Sequence, residues 1–314
     1  MNEATELLAV RVSELYYEDN KSQDEIGSLL GITRWKVGRL LTQARDRGIV
    51  RIEIAHPRAR RLSVERQLRE RFGLTDAVVV PMPSTLTELD GRVTQAAADY
   101  LAAVRPIPRT LGVSWGRTID QIAQRLQPGW STGVNVVQIN GGMRLNRRAG
   151  TAGDSASAIA QKAGGDAVLL PIPAILERVE TKRAIESDRT VASVLDLART
   201  ASMYLYSAGV ADSTSILVDS GYLTTDDIAA LRDKGAVGDV VGRYIGADGA
   251  VVDTELDART VGLGLDQLAA ASASVFVVTG EAKHDVARAV VVNGLCTVLI
   301  TDEATAVALL EDPS

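Results

Sequence analysis

One cysteine (Cys296) and two histidines (His56 and His284) are the whole stock of soft metal ligands in 314 residues. A single thiol excludes an internal disulfide, and two histidines leave little from which to build a zinc site. No metal or other cofactor is expected. Apolar runs long enough to cross a bilayer, roughly 18 residues or more, are missing, and so is the pattern of a signal peptide. No membrane partner is expected, and the expected location is the cytoplasm. No segment recurs at a fixed period. What remains is ordinary globular material, 46% apolar and 24% charged, in a chain long enough for two domains of unequal size.

The overall charge of −6 is unevenly distributed. From Ile32 to Leu62 nine basic residues (Arg34, Lys36, Arg39, Arg45, Arg47, Arg51, Arg58, Arg60, Arg61) stand against Asp46 and Glu53, whereas residues 1–31 carry seven acids and two bases. Residues 1–62 are therefore net positive and the remaining body is net −8. An acidic body on a head with one basic face suits a regulator, because the body does not adhere to nucleic acid.

The head is organised around SQDEIGSLLGITRWKVGRLLTQA, Ser22 to Ala44. Ser22 followed by Glu25 forms a capping box for one helix. Ile26, Leu29 and Leu30 supply its apolar face, Gly31 ends it, and Thr33 caps a second helix. In that helix Val37, Leu40, Leu41 and Ala44 recur at helical spacing and define a buried stripe. The opposite face displays Trp35, Arg39 and Thr42, with Arg34, Lys36 and Gly38 at its edges. Arginine pairs with guanine, tryptophan or threonine meets a thymine methyl, and flanking cations meet phosphates. The expected DNA-binding set is thus Thr33, Arg34, Trp35, Lys36, Arg39 and Thr42, on a helix-turn-helix. Glu6 to Glu18 predicts a preceding helix with Leu7, Leu8, Val12, Leu15 and Tyr16 inward. Ile49 to Ile54 alternates as a short strand, the wing of a winged helix. The expected division is a head over residues 1–55, a linker over 56–61 and a body over 62–314.

In the body, short Val- and Ile-rich strands alternate with helices, which implies an α/β domain with a mostly parallel sheet. Strands are expected at Ala77–Val80, Thr110–Ser114, Val134–Ile139, Val168–Ile172, Met203–Ser207, Val240–Ile245, Val275–Thr279 and Thr297–Thr301. Helices are expected at Leu62–Phe72, Leu86–Val104, Ile119–Leu126 and around Ala156–Ala163, and a hairpin turn at Asp248-Gly249. Ligands in such sheets bind at the carboxyl ends of strands. Three strand ends qualify. Ser114-Trp115-Gly116-Arg117-Thr118 offers two hydroxyls, a glycine turn and a helix N-terminus, all suited to a phosphate. Asn140-Gly141-Gly142 is a second such turn. Gly280-Glu281-Ala282-Lys283 starts a helix with a lysine, a position that the helix dipole disfavours and that an anion would explain.

These motifs stand in the order found in the SorC family of bacterial transcriptional regulators, which the chain resembles over nearly its whole length. The head carries LYY, SQ-x-EI, Gly-Ile-Thr-Arg and RLL…AR…GIV; the body carries VSWGRT, VVQINGG, KGAVGDVVGRY followed by DG, VGLGLDQL and LITDEATAVALL. The resemblance implies a winged helix-turn-helix head and a larger α/β effector domain similar in fold to sugar-phosphate isomerases. It also implies a homodimer or homotetramer acting on operator DNA of carbohydrate catabolic genes, controlled by a phosphorylated sugar or polyol. Carried over by residue, Ser114, Gly116, Arg117 and Thr118 would cradle the phosphate and Lys283 would neutralise it. Asn140, Gly141 and Gly142 would border the sugar, and Asp239 would accept its hydroxyls. Three departures stand out: Ser207-Ala208-Gly209-Val210 replaces a G-I-G type turn, Glu281 follows a single Gly280 where two glycines are usual, and Ile245-Gly246 replaces Phe-Asp. An enzyme on the same scaffold would need an acid and base facing each other in the pocket, from Asp239, Glu281 and His284. No catalytic signature accompanies them, and fold similarity does not carry activity.

Overall fold

The computed structural model describes residues 3–50, 60–83, 85, 88–142 and 152–311, and the chain divides into two compact units, Met1–His56 and Pro57–Ser314. The first unit holds α1 (Glu3–Tyr17), α2 (Gln23–Leu30) and α3 (Arg34–Asp46). Both ends of α2 follow local rules. The Ser22 hydroxyl accepts the Glu25 N–H at 3.3 Å while the Glu25 carboxylate accepts the Ser22 N–H at 2.8 Å. That donation holds the Glu25 carboxyl below its ordinary range. Gly31 ends the helix at φ 65°, and Thr33 caps α3 through the Lys36 N–H.

Ala9, Val12, Leu15, Ile26, Val37, Leu40, Leu41 and Ala44 form the core of this unit. Two expected members are outside it: Leu7 is 66% exposed and Leu29 60% exposed. On α2 the buried sector centres on Ile26, Gly27 and Leu30, and at about 100° per residue Leu29 rotates out of it. Leu7 lies opposite Ala9, Val12 and Ser13 by the same count. Gly27 is buried because a Cβ there would stand 2.8 Å from the Ile32 carbonyl oxygen. Of the expected wing, Ile49 and Val50 lie half-buried against this core; Arg51 to Ile54, like linker residues 56–59, fall outside the described residues.

The second unit contains strands β1 (Asp76–Val80), β2 (Thr110–Val113), β3 (Asn135–Gln138), β4 (Ala167–Val168), β5 (Met203–Tyr206), β6 (Ala208–Val210), β7 (Gly238–Val240), β8 (Arg243–Ile245), β9 (Ser274–Val277) and β10 (Val298–Asp302). Seven of them form a parallel sheet in the order β1-β10-β9-β5-β2-β3-β4, and β6-β7-β8 form a separate antiparallel sheet. Both faces of the large sheet are apolar, which is why its strands read as near-continuous Val and Ile. Val79, Val137, Tyr204, Phe276 and Leu299 pack on one side, and Val78, Val113, Val136, Leu205, Val275 and Ile300 on the other.

Two expected strands differ. Val168–Ile172 is regular only at Ala167–Val168; beyond it the Ile172 carbonyl turns to accept the Gly142 N–H at 2.6 Å. Val240–Ile245 is not one strand. Val241 and Gly242 both adopt positive φ (49° and 87°) and reverse the chain between β7 and β8. β-Branched residues favour strands, but here the Gly242 N–H is captured by the Asp239 carboxylate at 3.0 Å. The turn at Asp248-Gly249 is present, with Gly249 at φ 73°.

Arg60 and Arg61, at the end of the expected linker, are tied to the body. Arg60 grips Glu65 with two bonds of 2.8 and 2.9 Å, the buried Glu65 also accepts the Val79 N–H, and Arg61 pairs with Glu303 at 2.8 Å. Cys296 is buried, and burial pushes its thiol up to about 12.

After β2 the sheet grows through β3 and β4, and after β5 it grows the opposite way through β9 and β10. β2 and β5 are neighbours, so the carboxyl ends of these two strands flank the switch point at which ligands bind in open α/β sheets.

Candidate functional site

On the first unit, α3 buries Val37, Leu40, Leu41 and Ala44 and turns Thr33, Arg34, Trp35, Lys36, Arg39 and Thr42 to solvent. Trp35 is 89% exposed, so its ring is not folded onto a neighbouring helix. Arg34 pairs with Asp24 at 3.1 Å. The Thr42 hydroxyl donates to the Gly38 carbonyl at 3.1 Å, so this exposed side chain offers a methyl group and an acceptor oxygen but no free donor. The side chains of Lys36 and Arg39 have no hydrogen-bond or ion-pair partner among the described residues.

On the second unit a cleft of ≈ 560 Å³, partly open solvent, lies at the switch point. It gathers Ser114, Gly116, Arg117 and Thr118 after β2, Asn140 after β3, Ser207 to Val210 after β5, Asp239 from β7 and Lys283 after β9. Gly116 (φ 128°) precedes the helix Arg117–Arg125, and no side chain caps it. Its first-turn N–H groups and the positive end of its dipole are thus available to an anion. Arg117 is exposed at the rim and reaches across to the Thr214 carbonyl at 3.2 Å. Ser114 is buried, and the Ser207 hydroxyl stands 3.4 Å from that of Thr118.

Asn140 is 2% exposed, and among the described residues neither its side-chain oxygen nor its nitrogen has a partner. Asp239 is 4% exposed; one carboxylate oxygen accepts from Gly242, and the other, Oδ1, has no partner among the described residues. Burial raises Asp239 to about 6 against the opposing pull of the Gly242 N–H and the Lys283 charge. Lys283 is lowered, chiefly by desolvation, with Asp239 and Asp90 acting upward and Arg117 downward. Buried polar groups without partners are rare and costly. Two together in one cleft leave three hydrogen-bonding atoms for a ligand that carries hydroxyls.

Gly141 and Gly142 stand behind the cleft and are not among its lining. The Trp115 indole donates to the Gly141 carbonyl at 2.8 Å and the Tyr222 hydroxyl to the Gly142 carbonyl at 3.0 Å. A Cβ on Gly141 would fall 2.5 Å from the Pro173 carbonyl oxygen. Of the three groups considered for acid–base chemistry, only Asp239 lines the cleft; Glu281 is exposed and His284 is half-buried outside the lining. Among the described residues no cluster of metal-ligating side chains exists and no helix is long and apolar enough to cross a membrane.

Several residues that shape the cleft were not singled out as ligand-binding by sequence. A Cβ on Gly209 would stand 2.0 Å from Asp239 Oδ1, so this glycine makes room for the free carboxylate oxygen. Gly262, at φ 122°, backs Asn140 so closely that a Cβ would lie 2.5 Å from the Asn140 Cα. Ser207 and Thr214 line the rim. The available signals were the VGLGLDQL motif for Gly262 and the altered turn at 207–210 for Ser207 and Gly209.

Residues 56–311 match the family model described as "Putative sugar-binding domain". The deoxyribonucleoside regulator of Bacillus subtilis is 30% identical over 99% of this chain and 100% of its own length. The erythritol catabolism regulatory protein EryD of Brucella abortus is 27% identical over 100% and 99%. The full-length sorbitol operon regulator SorC of Klebsiella pneumoniae shares the fold with a TM-score of 0.73 at 25% identity, covering 99% of this chain and 100% of that one. With an α/β body on a mostly parallel sheet and likeness to regulators along its full length, the chain belongs to the SorC family of sugar-responsive, DNA-binding transcriptional regulators.

Proposed function

We propose that residues 1–55 form a winged helix-turn-helix that binds an operator half-site through α3. Residues 62–314, resembling sugar-phosphate isomerases in fold, bind a phosphorylated sugar or polyol and hold the protein as a homodimer or homotetramer in the cytoplasm. The observation that carries this reading is the mixed lining of the cleft. It brings an uncapped helix N-terminus, Arg117 and Lys283 together with Asn140 and Asp239 Oδ1, whose polar atoms have no partner among the described residues. The first group suits a phosphate and the second suits hydroxyls. The ligand acts by population shift: it binds one arrangement of the oligomer more tightly and so changes the spacing of two heads on DNA. The genes controlled belong to carbohydrate catabolism, as the names of EryD and the sorbitol operon regulator indicate for those relatives.

The test is a thermal-shift screen against sugar phosphates, polyol phosphates and their unphosphorylated parents. At a hundred times its dissociation constant, a ligand adds about 2.7 kcal/mol to stability. A response confined to phosphorylated members supports an anion site at the helix N-terminus. Responses only to unphosphorylated members overturn it and leave a binder of free sugars.

A further inference from the structure

The outward face of α3 is chemically sparse, and its sparseness defines what it can read. This inference rests on the proposal that α3 enters the major groove. Arg34 is held by Asp24, and Gln23 lies over Gly38, its side-chain oxygen 3.3 Å from where a Cβ would stand. Lys36 projects about 100° away from Trp35, toward the groove edge where phosphates lie. Three groups remain along one line of the helix: the Trp35 indole, the Arg39 guanidinium, without a partner among the described residues, and the Thr42 methyl, whose neighbouring hydroxyl hydrogen is donated to the Gly38 carbonyl. Trp35 has the highest exposure among the large apolar side chains. An indole so uncovered between cations gains from burial only when a partner covers it, and the positive charge of the segment selects a polyanion as that partner.

From this juxtaposition we infer that the operator half-site presents a guanine flanked on both sides by thymine methyl groups, read respectively by Arg39, Trp35 and Thr42. In the major groove the guanine N7 and O6 accept a bidentate guanidinium, and the thymine C5-methyl is the one apolar feature a base pair offers. Trp35 and Thr42 are seven residues apart, about 10 Å along the helix, or about three base-pair steps of 3.4 Å. Arg39 falls between them. Beside its apolar surface Trp35 offers only the indole N–H, and Thr42, its hydroxyl hydrogen committed to Gly38, offers only an acceptor oxygen beside its methyl, so the apolar contact of each is what a thymine methyl completes.

The experiment uses the full chain. Binding sites are selected from a pool of random duplexes, and each thymine of the selected site is then replaced by uracil, which removes only the methyl. The expected motif has two thymines about three steps apart with the guanine between them, about one to two steps from each, and each critical uracil weakens binding about fourfold, the worth of one buried methyl. Trp35→Ala abolishes the uracil effect on one flank. Thr42→Ser, which keeps the hydroxyl bond and loses the methyl, abolishes it on the other, and Arg39→Ala relaxes the guanine. Sequence-selective binding indifferent to uracil at every position overturns the inference and leaves DNA reading by the head intact. Selected sites whose preferences do not change in any α3 variant overturn both.

Discussion

The α3 face and the body cleft, the two proposed recognition surfaces, are built in opposite ways. On the head, the supporting polar groups are satisfied within the scaffold: Ser22 with Glu25, Thr33 with Lys36, Thr42 with Gly38. Its candidate contacts all stand exposed within ten residues of one another. In the cleft the contacts come from as far apart as Ser114 and Lys283, the buried ones include Ser114, Asn140 and Asp239, and among the described residues the scaffold leaves Asn140 and Asp239 Oδ1 unsatisfied. Recognition on the head is therefore separable from stability, whereas in the cleft the two are coupled, because the same burial that prepares a polar group for a ligand costs the free protein.

The sharpest break of this contrast is Gly262→Ala. The left-handed backbone at φ 122° and the 2.5 Å approach to Asn140 leave no place for a methyl. The body is expected to lose roughly 3–5 kcal/mol in denaturant unfolding, together with its ligand response. A neutral outcome would show that the wall behind Asn140 yields easily. Lys283→Ala comes next: removing the cation from a mostly desolvated cleft is expected to weaken a phosphorylated ligand by about 2–5 kcal/mol. Operator binding without ligand should stay at the wild-type level, measured by fluorescence anisotropy; a response at unchanged ligand concentration would remove Lys283 from the site.

A smaller effect follows from Asp239, whose free-protein value of about 6 lies above its ordinary 3.8. The raised value favours the protonated folded form. Its contribution to stability is full below the ordinary value and disappears as pH rises through about 6. A ligand hydroxyl donating to Oδ1 favours the ionised form instead, so affinity should fall about tenfold per pH unit below 6. A phosphate group titrates in the same range, and calorimetric titrations of wild type against Asp239→Asn isolate the part due to this carboxylate. Parallel pH profiles for the two proteins would refute the assignment. Smallest is Ser22→Ala on the head, expected to cost about 1 kcal/mol of head stability while ligand affinity of the body is unchanged. Any change in ligand affinity would show that the two regions are less independent than their local chemistry implies.

The same contrast governs what was readable in advance. Head features follow rules acting over three or four residues, and the capping box at Ser22, the end at Gly31 and the stripe from Val37 to Ala44 were all legible. Leu7 and Leu29 were misplaced because hydrophobicity does not say which sector of a helix meets its neighbours. In the body, strand positions were legible from Val and Ile runs, but not the strand order, since parallel pairing joins segments far apart such as β1 and β10. The reversal at Val241-Gly242 was hidden because its cause, the Asp239 carboxylate, acts across the turn. Strand-end glycines marked the stretches from Ser114 and from Gly280, and Asp239 came through family resemblance alone. The altered turn at 207–210 marked Gly209, but not its role, which is to leave space for a side chain thirty residues away.

Cys296 has a practical consequence. Being sealed in the core with a thiol that resists ionisation near neutral pH, it is a poor nucleophile toward maleimides and disulfide reagents. The natural chain thus already behaves as a cysteine-free background. A thiol engineered on the exposed surface of the head would be the one site open to dyes or spin labels, and distances between heads in the proposed oligomer become measurable without removing any native residue.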